Sequence, residues 1–129
     1  MAKLKTLLVH PDPELRADLR RRLGKAQGLQ VLGAAVSAFE ALELLEAVRY
    51  GVFFLGVDLA GEMTGLELAR TLSGRKDKPG LVFLAREGAG AYQAFELGAL
   101  DYLIWPPDED RFAKTLDKLA EFRRSFRLA

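Results

Sequence analysis

The sequence predicts an α/β domain in which helices cover both faces of a doubly wound, five-stranded parallel sheet. Apolar runs of strand length alternate with segments of helical periodicity along the chain, which is the pattern of consecutive βαβ units. The runs are almost continuously apolar, as is typical of strands that are buried on both faces. With 129 residues, we expect one domain with one core, covering residues 1–129.

The strands and most helix starts can be placed from local signals. We place the strands at residues 4–9, 29–35, 51–57, 80–85 and 101–105. Capping residues mark three helix starts, namely Asp12 before Pro13, Ser37 three residues before Glu40, and Thr64 three residues before Glu67. The helix before the last strand begins poorly, because Gly88 and Gly90 each cost about 1 kcal/mol relative to Ala in a helix. We therefore expect its first turn to be mobile.

Two helices carry apolar stripes that we expect to pack on the sheet. The stripe of the second helix consists of Phe39, Leu42, Leu45 and Val48. The last helix starts near Asp108, and its stripe consists of Phe112, Leu116, Leu119, Phe122 and Phe126.

The composition excludes several classes of function. The 19 basic and 18 acidic residues give a net charge of +1, which argues against a nucleic-acid binder. The basic clusters are interleaved with acids and are expected on solvated helix faces; they are Arg20–Arg22, Arg75 with Lys76, and Arg123 with Arg124. There are no cysteines, and the apolar run at the N-terminus is too short for a signal peptide or a membrane span. We expect a cytoplasmic protein.

Residues that follow the strands define the expected functional site, because doubly wound sheets bind their ligands at the carboxyl ends of the strands. These residues are His10, Pro11, Asp12, Gly56, Asp58, Ala85, Arg86 and Trp105. They include no nucleophile with an adjacent base and no glycine-rich phosphate loop. We therefore expect no enzyme activity.

Four segments resemble the receiver domain of bacterial response regulators over about residues 4–122. They are "LLVHPDPELR", "VFFLGVDLAGEMTGLELA", "LVFLAR" and "AFELGALDYLIWPP". The similarity is greatest to receivers that often precede a DNA-binding output domain, although we expect the receiver alone here. The resemblance implies the flavodoxin-like, CheY-like fold with strand order 2-1-3-4-5, and a cis peptide bond between Trp105 and Pro106.

The resemblance also implies a phosphorylation chemistry whose five key positions are all changed in this sequence. In the family, an aspartate after the third strand accepts a phosphoryl group, and an acidic pair after the first strand binds Mg²⁺. A hydroxyl after the fourth strand and a lysine after the fifth bind the phosphoryl oxygens. The matching positions are Gly56, His10 with Pro11, Ala85 and Trp105. The sequence therefore predicts a degenerate pseudo-receiver that works without phosphorylation.

The remaining polar residues near the site favour structural roles. Asp12 fits a helix N-cap better than a metal ligand. Asp58 could join it at a cation if the third strand continued, but with Pro11 and Gly56 in place of ligands we expect no metal and no cofactor. His10 is expected to be a hydrogen-bonded structural residue rather than a pH sensor. Tyr102 matches the aromatic that switches position in the family, but Ala85 cannot make the coupled movement.

Three functions remain open. The first is a module that binds protein partners of a signalling pathway, or forms a homodimer, through the fourth helix, fifth strand and fifth helix, where Arg111 and Lys118 are expected as exposed charges. The second is the receiver part of a DNA-binding transcriptional regulator. The third is a sensor of a small ligand in the crevice lined by His10, Asp58 and Trp105.

Overall fold

Strands and helices alternate from one end of the chain to the other. A computed structural model describes the backbone of residues 3–128 and the side chains of residues 3–125. The elements are β1 (Leu4–Val9), α1 (Pro13–Leu23), β2 (Leu29–Ala35), α2 (Ala38–Ala47), β3 (Val52–Gly56), α3 (Gly65–Ser73), β4 (Gly80–Ala85), α4 (Ala91–Glu96), β5 (Asp101–Ile104) and α5 (Glu109–Leu128). None of the described helices is long and apolar enough to cross a membrane.

All five strands pair in parallel in the order β2-β1-β3-β4-β5, so the predicted fold is confirmed. The β1 strand lies between β2 and β3, and the chain therefore leaves β1 in one direction and later returns on its other side. This reversal opens a crevice beyond the carboxyl ends of β1 and β3. Of the five predicted strands, β3 and β5 end one residue earlier than expected, at Gly56 and Ile104.

Two cores lie on opposite faces of the sheet, and β3 contributes to both. Phe53 and Leu55 pack in the core under α2, α3 and α4, whereas Val52 and Phe54 pack in the core under α1 and α5. All four side chains are inaccessible to solvent. Burial on both faces explains why this strand has no polar alternation in its sequence.

The three predicted helix caps are confirmed. The Asp12 carboxylate accepts a hydrogen bond from the Glu14 amide at 2.9 Å, and Ser37 Oγ accepts one from the Glu40 amide at 3.1 Å. Thr64 and Glu67 form a reciprocal capping box. In front of α4, residues Gly88–Gly90 form a 3₁₀ turn, so the predicted poor helix start is also present.

One predicted core residue is exposed. The helix α2 buries Ala38, Ala41 and Leu45, whereas the side chain of Phe39 is 72% exposed. The prediction was wrong because it chose the helix face with the large side chains. The small alanines let α2 approach the sheet on a neighbouring face, since the side-chain directions of successive helical residues differ by about 100°. On α5, Phe112 and Leu119 are buried as predicted, and the side chain of Phe126 lies outside the described residues.

A buried carboxylate joins β5 to α5. Asp101 is inaccessible to solvent and accepts hydrogen bonds from Arg111 at 2.7 and 2.9 Å and from Thr115 Oγ1 at 2.6 Å. The Lys118 ammonium lies 3.3 Å away, and the Tyr102 amide donates at 2.9 Å. Burial opposes ionisation, but these donors outweigh it and hold the pKa of Asp101 well below its usual range. The network therefore fixes the position of α5 against the edge of the sheet.

We expect Thr115→Val to lower the free energy of unfolding by about 2 kcal/mol, because the buried Asp101 carboxylate loses a charge-assisted hydrogen bond without a change in side-chain shape. Thr71→Val is the matched control, since Thr71 is an exposed helical residue whose hydroxyl donates only to the Glu67 carbonyl. The control should change stability by less than about 0.5 kcal/mol. Urea denaturation of the three proteins measures both effects, and equal losses in both variants would contradict the assigned role of Asp101.

Candidate functional site: a remodelled crevice

The predicted site residues meet at a cavity of about 290 Å³ at the carboxyl edge of the sheet. The cavity is lined by His10, Pro11, Asp12, Leu15, Asp58, Leu84, Ala85, Arg86 and Trp105. Of the predicted positions, Gly56 does not line the cavity but lies buried beside His10, and Tyr102 does not line it either. The topology therefore brings together residues that lie up to 95 positions apart in the sequence.

The imidazole of His10 occupies the space in front of Gly56. A Cβ atom added at Gly56 would lie 2.7 Å from His10 Cδ2 and 3.1 Å from the Asp58 carbonyl oxygen. The backbone φ of Gly56 is not positive, so the requirement for glycine there is one of space rather than of backbone conformation. No signal in the sequence pairs these two residues, because the contact joins the ends of two different strands.

His10 is held in one tautomer. Its Nδ1 accepts a hydrogen bond from the Asp12 amide at 3.0 Å, which places the proton of the neutral ring on Nε2. The His10 carbonyl oxygen accepts a bond from Arg16 Nη1 at 2.6 Å. Burial lowers the pKa of His10, nearby Asp12 opposes this, and the guanidinium groups of Arg16 and Arg86 lower it further. The ring is therefore neutral at neutral pH.

Two carboxylates lie at the rim of the cavity. Asp12 caps α1 through one oxygen. The β3 strand ends at Gly56, so Asp58 reaches the cavity from the loop that follows. The hypothesis that Asp58 joins Asp12 at a cation depended on a strand that continued to Asp58. In the part of the chain that the structure describes, no cluster of three or more His, Asp or Glu side chains is arranged to hold a metal ion.

Trp105 forms one wall of the cavity, and α1 holds it in place. The guanidinium carbon of Arg22 lies 4.9 Å from the centre of the indole ring and 5.5 Å from that of Phe112, while Nη1 donates to the Pro107 carbonyl at 3.0 Å. The bond from Trp105 to Pro106 is cis, as the resemblance implied.

The prediction that Arg22 lies on a solvated helix face is wrong, since only 20% of its side chain is exposed. The spacing of Arg22 from apolar residues of α1 could have predicted its burial. Arg22 follows buried Leu19 by three residues and immediately precedes buried Leu23, which puts it next to the core side of α1.

Tyr102 lies away from the cavity and holds the loop between β4 and α4. Its side chain is 8% exposed, and its ring centre lies 6.4 Å from that of Phe83. The hydroxyl donates to the Glu87 carbonyl at 2.7 Å and accepts from the Gly90 amide at 3.3 Å. One side chain thus bonds to both ends of the glycine-rich segment that precedes α4.

We expect the pKa of His10 to lie below 6.5, the value of an unperturbed histidine. As the pH falls, the unfolded state then binds a proton at a higher pH than the folded state does. The contribution of His10 to stability is therefore complete above about pH 6.5 and decreases as the pH falls through the folded pKa. His10 is the only histidine, so its Hε1 resonance reports the titration directly. His10→Gln should remove this pH dependence, and a midpoint at or above 6.5 would contradict the neutral, hydrogen-bonded ring.

We expect Gly56→Ala to destabilise the protein by about 1–3 kcal/mol, because the new methyl group overlaps the His10 ring. The ring cannot turn away without losing the hydrogen bond from Asp12. In a His10→Ala background the same change should cost at least about 1 kcal/mol less, which a double-mutant cycle measures by chemical denaturation. Equal costs in both backgrounds would rule out the steric coupling.

Comparisons with known proteins identify the family. A model of the response regulator receiver domain matches residues 6–117. Sensory transduction protein LytT of Bacillus cereus is 34% identical over 122 residues, which are 95% of this chain and 49% of the relative. Transcriptional regulatory protein LytR of Staphylococcus aureus is 31% identical over 116 residues, 90% of this chain and 47% of the relative. The chain thus spans about half the length of these curated relatives.

Solved structures share the fold. The response regulatory domain of protein mrkE from Klebsiella pneumoniae has a TM-score of 0.88 at 24% identity, with 95% of this chain and 99% of that chain covered. The receiver domain of the response regulator NarL from Mycobacterium tuberculosis has a TM-score of 0.81 at 21% identity, with 96% and 98% covered. With the matched model and the curated relatives, these likenesses lead to one conclusion: the chain belongs to the response regulator receiver domain family.

Proposed function

We propose that this domain is a phosphorylation-independent receiver that acts in cytoplasmic signal transduction by binding protein partners. The observation that carries the proposal is the contact between His10 and Gly56. Gly56 ends β3, the position of the phosphoacceptor in the family, and the imidazole ring fills the space that an acceptor side chain would need. His10 therefore occupies the space that the side chain of a phosphoacceptor at position 56 would need.

The chemistry of the other positions supports the same proposal. A carboxylate reacts with a phosphoryl donor only when cations neutralise the charge that develops on the phosphoryl oxygens. Pro11 has no side-chain ligand atom, Ala85 has no hydroxyl, and Trp105 has a neutral N–H in place of an ammonium group. The acceptor carboxylate, the hydroxyl and the lysine that the family uses are thus absent from the matching positions.

The surface around α4 and β5 is the proposed interaction face. Tyr92, Phe95 and Ile104, which we call the association face, have exposed fractions of 75%, 49% and 45%. Exposed apolar side chains on neighbouring elements are typical of protein-binding surfaces. Because the hydroxyl of Tyr102 bonds to the loop before α4, this face is preorganised without a phosphoryl group. A homodimer is one assembly that the face would support.

A second candidate function is that of the receiver part of a DNA-binding transcriptional regulator. It is favoured by the relative LytR, which is a transcriptional regulatory protein and about twice as long as the matched segment. Direct contact of the present domain with nucleic acid is not proposed, because its net charge is only +1. The reading frame of the natural gene beyond Ala129 decides between a separate module and a receiver joined to an output domain.

We expect no phosphoryl uptake by the wild type, and none by Gly56→Asp alone, because the variant still lacks the cations and places its carboxylate against His10. The measurement is intact mass after incubation with acetyl phosphate and Mg²⁺. The positive control restores all five positions by His10→Asp, Pro11→Asp, Gly56→Asp, Ala85→Thr and Trp105→Lys. A stable phosphoryl adduct on the wild type would refute the proposed function.

We expect self-association at high concentration through the association face. Phe95→Glu should shift sedimentation velocity profiles toward the monomer, because it places a charge in an apolar contact. Phe39→Glu is the matched control, since Phe39 is an exposed phenylalanine on α2. Charge reversal at Arg111 or Lys118 is unsuitable, because both side chains bind buried Asp101 and are not free surface charges. Loss of association in the Phe39 variant alone would show that the assigned face is wrong.

A further inference from the structure

The size and walls of the crevice match those of a small-ligand site. Ligand pockets start at about 300 Å³ and combine apolar walls with a few polar groups, and this cavity of about 290 Å³ lies at that lower limit. Leu15, Leu84 and Ala85 provide apolar lining. Trp105 adds an aromatic wall that the contact with Arg22 keeps in place.

The charges of the lining select against anions. Asp12 and Asp58 contribute two carboxylates, and Arg86 contributes one guanidinium group. His10 is neutral, because its Nδ1 accepts a hydrogen bond from the Asp12 amide. The lining therefore has a formal charge of −1. A phosphate or carboxylate ligand would meet two carboxylates, whereas an amino or amidine group would find acceptors for its N–H groups.

The ring N–H groups supply the complementary donors. Within residues 3–125, no hydrogen bond occupies Nε2 of His10 or the indole N–H of Trp105. Nε2 carries a proton in the tautomer that Asp12 selects, so it can donate to an acceptor atom of a ligand. The indole of Trp105 is the aromatic part of the lining and favours a flat aromatic partner.

We propose that the crevice binds a small planar heteroaromatic amine. The ring packs against Trp105, a ring nitrogen accepts a hydrogen bond from His10 Nε2, and the amino group donates to Asp58. This inference deepens the ligand-sensing alternative at the same site and rests on the proposed function, because it requires that the crevice is not used for phosphoryl transfer.

The experiment is a titration of the uniformly ¹⁵N-labelled chain with 2-aminobenzimidazole, followed by ¹H–¹⁵N correlation spectra, at a pH above the pKa of the probe so that one of its ring nitrogens is an acceptor. Trp105 is the only tryptophan and His10 the only histidine, so each gives a unique side-chain signal from the cavity wall. We expect saturable shifts of the Trp105 indole and His10 signals at up to millimolar probe concentrations. Benzimidazole-2-carboxylate, which has the same ring with a negatively charged carboxylate in place of the amino group, should produce no saturable shift.

Two variants test the role of the rim carboxylate. Asp58→Asn should weaken binding of 2-aminobenzimidazole by about threefold, the effect of removing one solvent-exposed charge partner. Glu62→Gln makes the same charge change in the same loop at an exposed residue that does not line the cavity, and should leave the affinity unchanged. Both positions are exposed, so preserved spectral dispersion is expected in both variants.

The absence of saturable shifts, or equal affinity for the carboxylate probe, would overturn the ligand proposal. So would equal weakening by Asp58→Asn and Glu62→Gln. The titration contains no phosphodonor and no Mg²⁺, so a negative result leaves the phosphoryl-uptake experiment unaffected. Conversely, phosphoryl uptake by the wild type would refute the proposed function whatever the outcome of the titration.

Discussion

The whole site depends on the burial of the central strands on both faces. In β3 every side chain is covered by helices above and below the sheet, and the neighbouring β1 and β4 strands pair with it along their lengths. Strands packed in this way have little room for polar side chains along their length; the buried hydroxyl of Thr6 donates to the carbonyl of Leu4, two residues away in the same strand. Chemistry is therefore restricted to the carboxyl edge, where the strands end and the cavity opens.

At that edge, packing and local hydrogen bonds hold the side chains in place. Small Gly56 makes room for the ring of His10, and the amide of Asp12 fixes that ring. The guanidinium group of Arg22 packs over the indole ring of Trp105 and donates a hydrogen bond to the Pro107 carbonyl. The side chains at this edge are thus mutually compatible in volume and charge.

Two adjacent residues at the start of β5 bind α5 and the loop before α4. Asp101 binds α5 through Arg111 and Thr115, and Tyr102 binds the loop before α4 through its hydroxyl. Because the side chains of neighbouring strand residues point to opposite faces of the sheet, one short strand orders elements on both sides. The positions of α4 and α5 are therefore determined by contacts within the domain.

The sequence by itself determined the elements and their order, because strand burial and helix capping depend on residues close together in the chain. The three capping pairs and the nearly continuous apolar runs placed every strand to within one residue, and the family resemblance supplied the strand order and the cis bond before Pro106. It also located most residues of the crevice, since they lie at or just after strand ends, but it missed Leu15 of α1 and Leu84 of β4.

Only the tertiary structure decided how side chains from different elements meet. Local patterns placed Phe39 in the core and Arg22 in solvent, and both predictions were wrong. The α2 helix packs on the sheet through its alanines, and Arg22 packs on aromatic rings that follow β5. The pairing of His10 with Gly56, and of Lys118 with Asp101, joins residues 46 and 17 positions apart. Such contacts depend on distances in space, which no periodicity along the chain encodes.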